Sequence, residues 1–270
     1  MTRPARDAEL VTEIKGAYEG SADAWASGPT TIYRRFAEAL VAAAPTSLDG
    51  QNVLDLGAGT GVASEVLTDA GAQPIAVDLA HAMLRHRREE RPPATVGDAQ
   101  GLPFGAGTFD AVVAAFCLNH LPDPVAGLAE CRRVTRSGGL VLASTFPSDG
   151  NHPAKAIVER ELERSGYQRP RWYRTFKQHI AQLTGDDAAF AQAAWDAGYG
   201  DVEVVAIEVE AGLDRPELAV DWRLNMPHTI GFVAGLDDVA RGELRARAIA
   251  ALSGELPTSA EIRVLRAHVP

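Results

Sequence analysis

The chain has 270 residues, with 26 Lys and Arg against 36 Asp and Glu, and a formal net charge of −10. That balance argues against nucleic acid as a partner, because gripping a phosphate backbone needs a broad basic surface. The 46% hydrophobic content supports a sizeable core, and no run of about eighteen apolar residues is present to make a membrane span. The two cysteines, Cys117 and Cys131, form no C-x-x-C pair, and no signal-peptide pattern is present, which points to a reduced, cytoplasmic setting. His120, His152, His179 and His228 lack the i, i+4 spacing of a helical metal pair, so no metal is expected.

In chain order, helices are predicted over 7–18 and 30–43, the second with Ile32, Phe36 and Leu40 recurring every four residues as an apolar stripe. Tyr18 and Trp25 stand between them. Residues 44–51 read as a loop into the first strand. There Val53-Leu54-Asp55-Leu56-Gly57-Ala58-Gly59-Thr60-Gly61 runs from an apolar strand into three glycines spaced two apart, and an amphipathic helix follows. Glycine opens backbone angles closed to other residues and lets a ligand approach the main chain. The G-x-G-x-G spacing departs from the dinucleotide pattern G-x-G-x-x-G, and Val62-Ala63 stands where a phosphate loop needs Lys then Ser or Thr. A nucleotide-like ligand over this turn is therefore expected. A second strand, Pro74 to Asp78, ends in a carboxylate 17 residues after Gly61, near the distance at which an acid reaches a ribose; the alternative role is a cap for the next helix. Phe109 to Phe116 is almost wholly apolar, as a strand buried on both faces should be.

VLDLGAGTG at 53–61 resembles the first motif of class I S-adenosylmethionine-dependent methyltransferases. Asp78, the Gly97-Asp98-Ala99-Gln100-Gly101-Leu102-Pro103-Phe104 loop, the Phe109 strand with Cys117 to Pro124, and Arg132 to Ser144 extend the likeness in order over 50–146. The chain is similar to the small-molecule branch typified by ubiquinone and menaquinone biosynthesis. This resemblance implies an α/β fold, a Rossmann-like doubly wound sheet of seven mostly parallel strands with the last antiparallel, plus helical lid insertions. It implies S-adenosylmethionine as cofactor and S-adenosylhomocysteine as product, contacted by Tyr18, Trp25, Asp55, Gly57, Ala58, Gly59, Asp78, Leu79, Met83, Asp98, Ala99 and Phe116. In that pattern Asp78 binds the ribose hydroxyls and Asp98 the adenine amine. Tyr18 and Trp25 either shield the sulfonium or only pack the helices on the core. Cys117 reads as a small buried residue beside the cofactor loop rather than a nucleophile.

The implied organisation is an N-terminal helical lid at 1–45, a core at 46–148 and 198–270, a crossover insertion at 149–197, and a second helical insertion at 212–257. The crossover should hold a helix from Pro153 to Arg164, a turn rich in Arg and aromatics at 169–174, and a helix from Asp186 to Ala197. Strand six should start near Asp201, and the last strand spans Glu261 to Ala267. The Arg-aromatic turn suits a solvated turn or a pocket wall better than base stacking. Tyr33, Trp172, Trp222 and Asn225 are candidates for substrate contact, Trp222 with core packing as its alternative. His120 is the first candidate base and His228 the second, His120 with a loop-shaping role as its alternative. The function implied is in-line methyl transfer to a small, largely apolar metabolite of secondary or natural-product metabolism. The alternative is a cyclase or isomerase on the same scaffold that keeps the cofactor as a fixed charge. The partner is a small-molecule substrate, and a homodimer is an open state because the N-terminal segment can exchange between copies.

Overall fold

Seven strands form one sheet: β1 (Asn52–Leu56), β2 (Gln73–Asp78), β3 (Ala94–Val96), β4 (Phe109–Ala115), β5 (Thr135–Thr145), β6 (Asp201–Glu210) and β7 (Ser259–His268). Their order is β3-β2-β1-β4-β5-β7-β6, with β1 to β5 parallel and β7 antiparallel to both neighbours. The chain reverses its direction of winding between β1 and β4, so a crevice opens there at the carboxyl ends of the strands. The structure is a computed structural model that describes residues 3–148, 152–252, 254 and 256–270. The expected start of the crossover insertion at 149 lies outside the described residues.

Alternation along the central strands sends side chains to two cores. Val53 of β1 and Ala111 and Val113 of β4 face the helix Thr30–Ala42, while Leu54, Leu56, Val112 and Ala114 face the helices Pro124–Val134 and Asp187–Asp196. The helix Thr30–Ala42 turns its predicted stripe inward, with Ile32, Phe36 and Leu40 fully buried. Burial of each such side chain contributes about 1.5–3 kcal/mol, which ties this helix to the core. The helix Arg3–Glu19 packs instead through Leu10 and Ile14 against Trp172, Tyr173 and Ile180 of the crossover.

Local signals in the sequence account for most boundaries. Asp123, Asp186 and Asp237 each accept a hydrogen bond from a backbone N–H of the first turn that follows, closing the N-termini of Pro124–Val134, Asp187–Asp196 and Asp238–Ala251. The helix Pro153–Arg164 matches its expected bounds. The pair Gly138-Gly139 lies inside β5, where the register jumps from Phe109 opposite Thr135 to Ala111 opposite Leu140 and Gly138 adopts φ +72°. One element differs from expectation. The Arg-aromatic segment is helical from Arg171 to Gly185, with a π turn at Phe176–Ile180. Its aromatics pack inward, and burial overrides the turn chemistry of its Arg and Pro residues. The insertion between β6 and β7 contributes Pro216–Leu224, Ile230–Ala234 and Asp238–Ala251.

Candidate active site

The turn after β1 is held by its own amides. Gly57, Gly59 and Gly61 all have positive φ, at +71°, +53° and +101°. At Gly57 the requirement is double, since a Cβ there would lie 2.6 Å from Cys117 Sγ. The N–H groups of Gly57 and Ala58 donate to the Val77 carbonyl at 2.8 and 3.0 Å. Gly59 N–H donates to Asp78 Oδ2 and Ala80 N–H to Asp78 Oδ1, each at 2.8 Å. The Asp78 carboxylate is thus fixed at the crevice with lone pairs to spare; burial pushes its pKa up, and the two amides oppose the rise. Arg91 braces the turn from behind, donating to the carbonyls of Gly59, Met83 and Leu84 at 3.1–3.2 Å.

Above this turn lies a first chamber of about 940 Å³, its opening to solvent included. Gly57 and Gly59 line its floor, Asp78, Leu79 and Met83 one side, Asp98 and Ala99 another, and Tyr18 and Trp25 its cover. The cover is docked by Glu19, whose carboxylate accepts from the N–H groups of His81 and Ala82 at 2.7 and 2.8 Å, at the start of the helix His81–Arg85.

A second chamber, of about 680 Å³ with its opening to solvent included, adjoins the first, and Tyr18, Tyr33, Phe116 and His120 line both. This partition is a packed aromatic group: Tyr33 lies 5.1 Å from Phe116 and Tyr18 lies 5.7 Å from His120, centroid to centroid. Phe116 is a non-glycine residue at φ +54°, a conformation costing about 1–2 kcal/mol. Its N–H bond to Ser144 O and the contacts of its ring with Tyr33, Phe36 and Phe146 hold it there. His120 shares a 3.2 Å hydrogen bond between Nε2 and the Tyr18 hydroxyl, while Nδ1 is buried with no partner among the described residues. Burial pushes the His120 pKa down to about 4. The far wall of the second chamber carries Trp172, Tyr173, Phe176 and His228, with the His228 ring stacked on Tyr173 at 3.7 Å.

Residues 54–143 match the model of a methyltransferase domain family. The demethylmenaquinone methyltransferase of Renibacterium salmoninarum is 34% identical over 165 residues, an alignment that spans 60% of this chain and 68% of the relative. The chain belongs to the class I S-adenosylmethionine-dependent methyltransferase family. The corresponding enzyme of Beutenbergia cavernae is 34% identical over 152 residues, and there the match spans 56% of this chain and 62% of the relative. Among solved structures, phosphoethanolamine N-methyltransferase 2 of Haemonchus contortus, in complex with S-adenosyl-L-methionine, shares the fold at a TM-score of 0.56 and 20% identity, over 87% of this chain and 52% of that one.

In this methyltransferase the expected cofactor residues gather at the first chamber, with two exceptions. Asp55 lies beneath the turn, fully buried and accepting a 2.5 Å hydrogen bond from Ser64 Oγ, and burial pushes its pKa up to about 6. Ala58 has its N–H committed to β2 and lies off the chamber wall. His120, His228, Tyr33 and Trp172 all reach the second chamber. Trp222 and Asn225 do not. Trp222 is fully buried behind the wall against Phe146 and His152, which is the core-packing alternative, and Asn225 turns its amide back onto the Asp221 carbonyl at 2.8 Å. Arg169 and Arg171 are taken up by ion pairs to Glu159 and Glu163 and to Glu9 and Glu13, leaving Trp172 and Tyr173 to face inward.

Tyr173 belongs to the Arg-aromatic segment at 169–174, for which a pocket wall was one of the two expected roles, and it lines the second chamber. Arg91, Lys155 and Arg223 carry no such signal: Arg91 follows no spacing that marks it, and the other two lie in insertions whose folded path only tertiary packing decides.

Proposed function

We propose that this methyltransferase binds S-adenosylmethionine in the first chamber and a small, largely apolar acceptor in the second, and that transfer occurs across Tyr18, Tyr33, Phe116 and His120. The observation that carries the reading is the shared wall: two chambers meet at four residues, one of them a histidine with a buried nitrogen that has no partner among the described residues. The first chamber fits the cofactor's groups. Asp78, anchored by two amides, keeps acceptor capacity for a ribose diol, and Asp98, whose Oδ1 takes the Gln100 N–H at 2.9 Å, keeps its other oxygen for an exocyclic amine. The space over Gly59 is open, with no heavy atom within 4 Å of where a Cβ would stand.

The cofactor, when bound, supplies a methyl group already activated on a cationic sulfur. The chain's own work is then positioning and water exclusion, and ideal alignment of two reactants contributes about 7–11 kcal/mol. Tyr18 and Trp25 cover the first chamber, and the aromatic far wall orients a flat acceptor in the second. With the ring proton on Nε2, donated to the Tyr18 hydroxyl oxygen, His120 Nδ1 is the nitrogen able to accept a hydrogen bond or a proton from the acceptor; with a pKa near 4 it serves better as an acceptor of hydrogen bonds than as a store of protons.

Calorimetry with S-adenosylhomocysteine and mass spectrometry of products from a panel of aromatic alcohols and acids test this reading. Saturable cofactor binding with a product heavier by one methylene supports it. An isomerised product of unchanged mass, with no S-adenosylhomocysteine formed, contradicts it.

A further inference from the structure

The second chamber has a charge that runs against the rest of the molecule. Lys155, Lys177 and Arg223 line it, and among the described residues no Asp or Glu does, in a chain whose formal net charge is −10. Arg223 is only 5% exposed, and its guanidinium pairs with no carboxylate among the described residues. Its Nη2 donates to His228 Nε2 at 3.1 Å, and Tyr173 is a further hydrogen-bond partner. Because a guanidinium only donates, His228 accepts through Nε2, so its ring is neutral and does not compete as a third cation. Lys155 Nζ stands 3.5 Å from the centroid of Phe146, likewise without a carboxylate partner among the described residues. Its pKa is pushed well down, by burial first and then by Arg223 and Lys177.

Acids are close by but point elsewhere. Asp221, two residues before Arg223, pairs outward with Arg245 at 2.8 Å, and Glu159, one helical turn after Lys155, pairs with Arg169 at 2.5 Å. Cations buried without counter-charge are costly, and folded proteins pair them with an anion. Here an anion has a place to sit, between the Arg223 guanidinium and the Lys155 amine, supplied by separate insertions, and its charge would hold Lys155 protonated.

We infer that the second chamber takes an acceptor bearing an anionic oxygen, a carboxylate or an ionised hydroxyl, on a flat aromatic frame, held by Lys155 and Arg223. The inference rests on the reading of this chamber as the acceptor site and narrows it: the frame is apolar, and one edge is charged. Lys177, exposed on the π turn at the mouth, adds long-range attraction for the incoming anion. An ionised hydroxyl held in this way needs no strong base beside it, in keeping with the low pKa of His120.

The test uses the full chain saturated with S-adenosylhomocysteine, and titrates 2-naphthoate, its neutral counterpart 2-naphthamide, and 2-naphthol, followed by calorimetry and by the absorbance of the naphtholate. The expected result is that 2-naphthoate binds about tenfold tighter than the amide, or that 2-naphthol binds as its anion near neutral pH; the first identifies a carboxylate as the charged group and the second a hydroxyl. Lys155→Met should reduce the preference for whichever anion binds by about tenfold and leave the amide within about twofold. Arg223→Gln should act in the same direction, and Lys155→Met keeps the test valid if Arg223→Gln fails to fold. Equal binding of acid and amide with neutral naphthol, equal weakening of charged and neutral probes by Lys155→Met, or no binding of any probe at millimolar concentration overturns the inference. Loss of S-adenosylhomocysteine binding in the wild-type chain would instead count against the assignment of the first chamber, so the two failures are distinct.

Discussion

The two chambers meet at Tyr18, Tyr33, Phe116 and His120, yet they are built by different means. The first is floored by strand ends and the turns that follow them: backbone amides tie Gly57, Ala58 and Gly59 to β2 and Asp78, with Arg91 as a brace and Tyr18 and Trp25 as a cover. The second is made of side chains carried by insertions, with Tyr173, His228, Lys155 and Arg223 arriving from segments far apart in sequence. Such a division separates the two tasks. A site set by main-chain geometry stays the same across a family, whereas one set by insertion side chains can change its ligand without disturbing the sheet.

The strongest way to break this division is at Gly57. Gly57→Ala combines a left-handed φ with a Cβ 2.6 Å from Cys117 Sγ, and together these cost about 3 kcal/mol, or about 100-fold in S-adenosylhomocysteine affinity. Gly59→Ala, where the space is open and only the backbone conformation is penalised, should cost about 1 kcal/mol. Calorimetry that ranks the two variants in the opposite order would show that the turn is not held as described.

At the partition, His120→Ala should lower turnover by about 100-fold while cofactor affinity stays within about twofold. Steady-state rates beside a cofactor titration separate the two effects. His120 also gives stability a pH dependence with a definite sign. Its folded pKa of about 4 lies below the unfolded value of 6.5, so the unfolded chain takes up the extra proton. Stability is full above about pH 6.5 and declines as pH falls toward 4, by at most about 3 kcal/mol. Thermal melts of His120→Asn should show a shallower loss over that window, and an unchanged slope would mean the ring is solvated.

Smaller effects belong to the second chamber and its surface. Tyr173→Leu removes the ring stacked on His228 and should raise the acceptor KM by about fivefold, near 1 kcal/mol, with cofactor binding unaffected. Asp221→Asn breaks a half-exposed pair with Arg245 and should change stability by less than about 1 kcal/mol. If it altered acceptor binding as much as Tyr173→Leu, the outward-facing acids of the insertion would be part of the site.

The same division explains what could be read from the sequence. The glycine spacing, Asp78 and the apolar Phe109 strand mark the first chamber, because a strand-to-helix turn is a local object whose residues are neighbours in the chain. The buried stripe Ile32, Phe36 and Leu40 was legible for the same reason, through its period. Trp222 and Asn225 were not, since a step of one residue on Pro216–Leu224 separates Trp222, buried in the core, from Arg223, at the cavity, and the sequence pattern fits either facing. Arg223 and Lys155 were missed because a buried cation announces itself only by the partners it lacks, and that is a property of the folded neighbourhood.

The central claim is that cofactor and acceptor meet across the shared wall. An experimental structure of the S-adenosylhomocysteine complex tests it most directly. The account places the sulfur in the first chamber, in van der Waals reach of Tyr18, Phe116 or His120 and facing the second chamber. A sulfur turned toward solvent, or a cofactor seated away from Gly57 and Asp78, would contradict it.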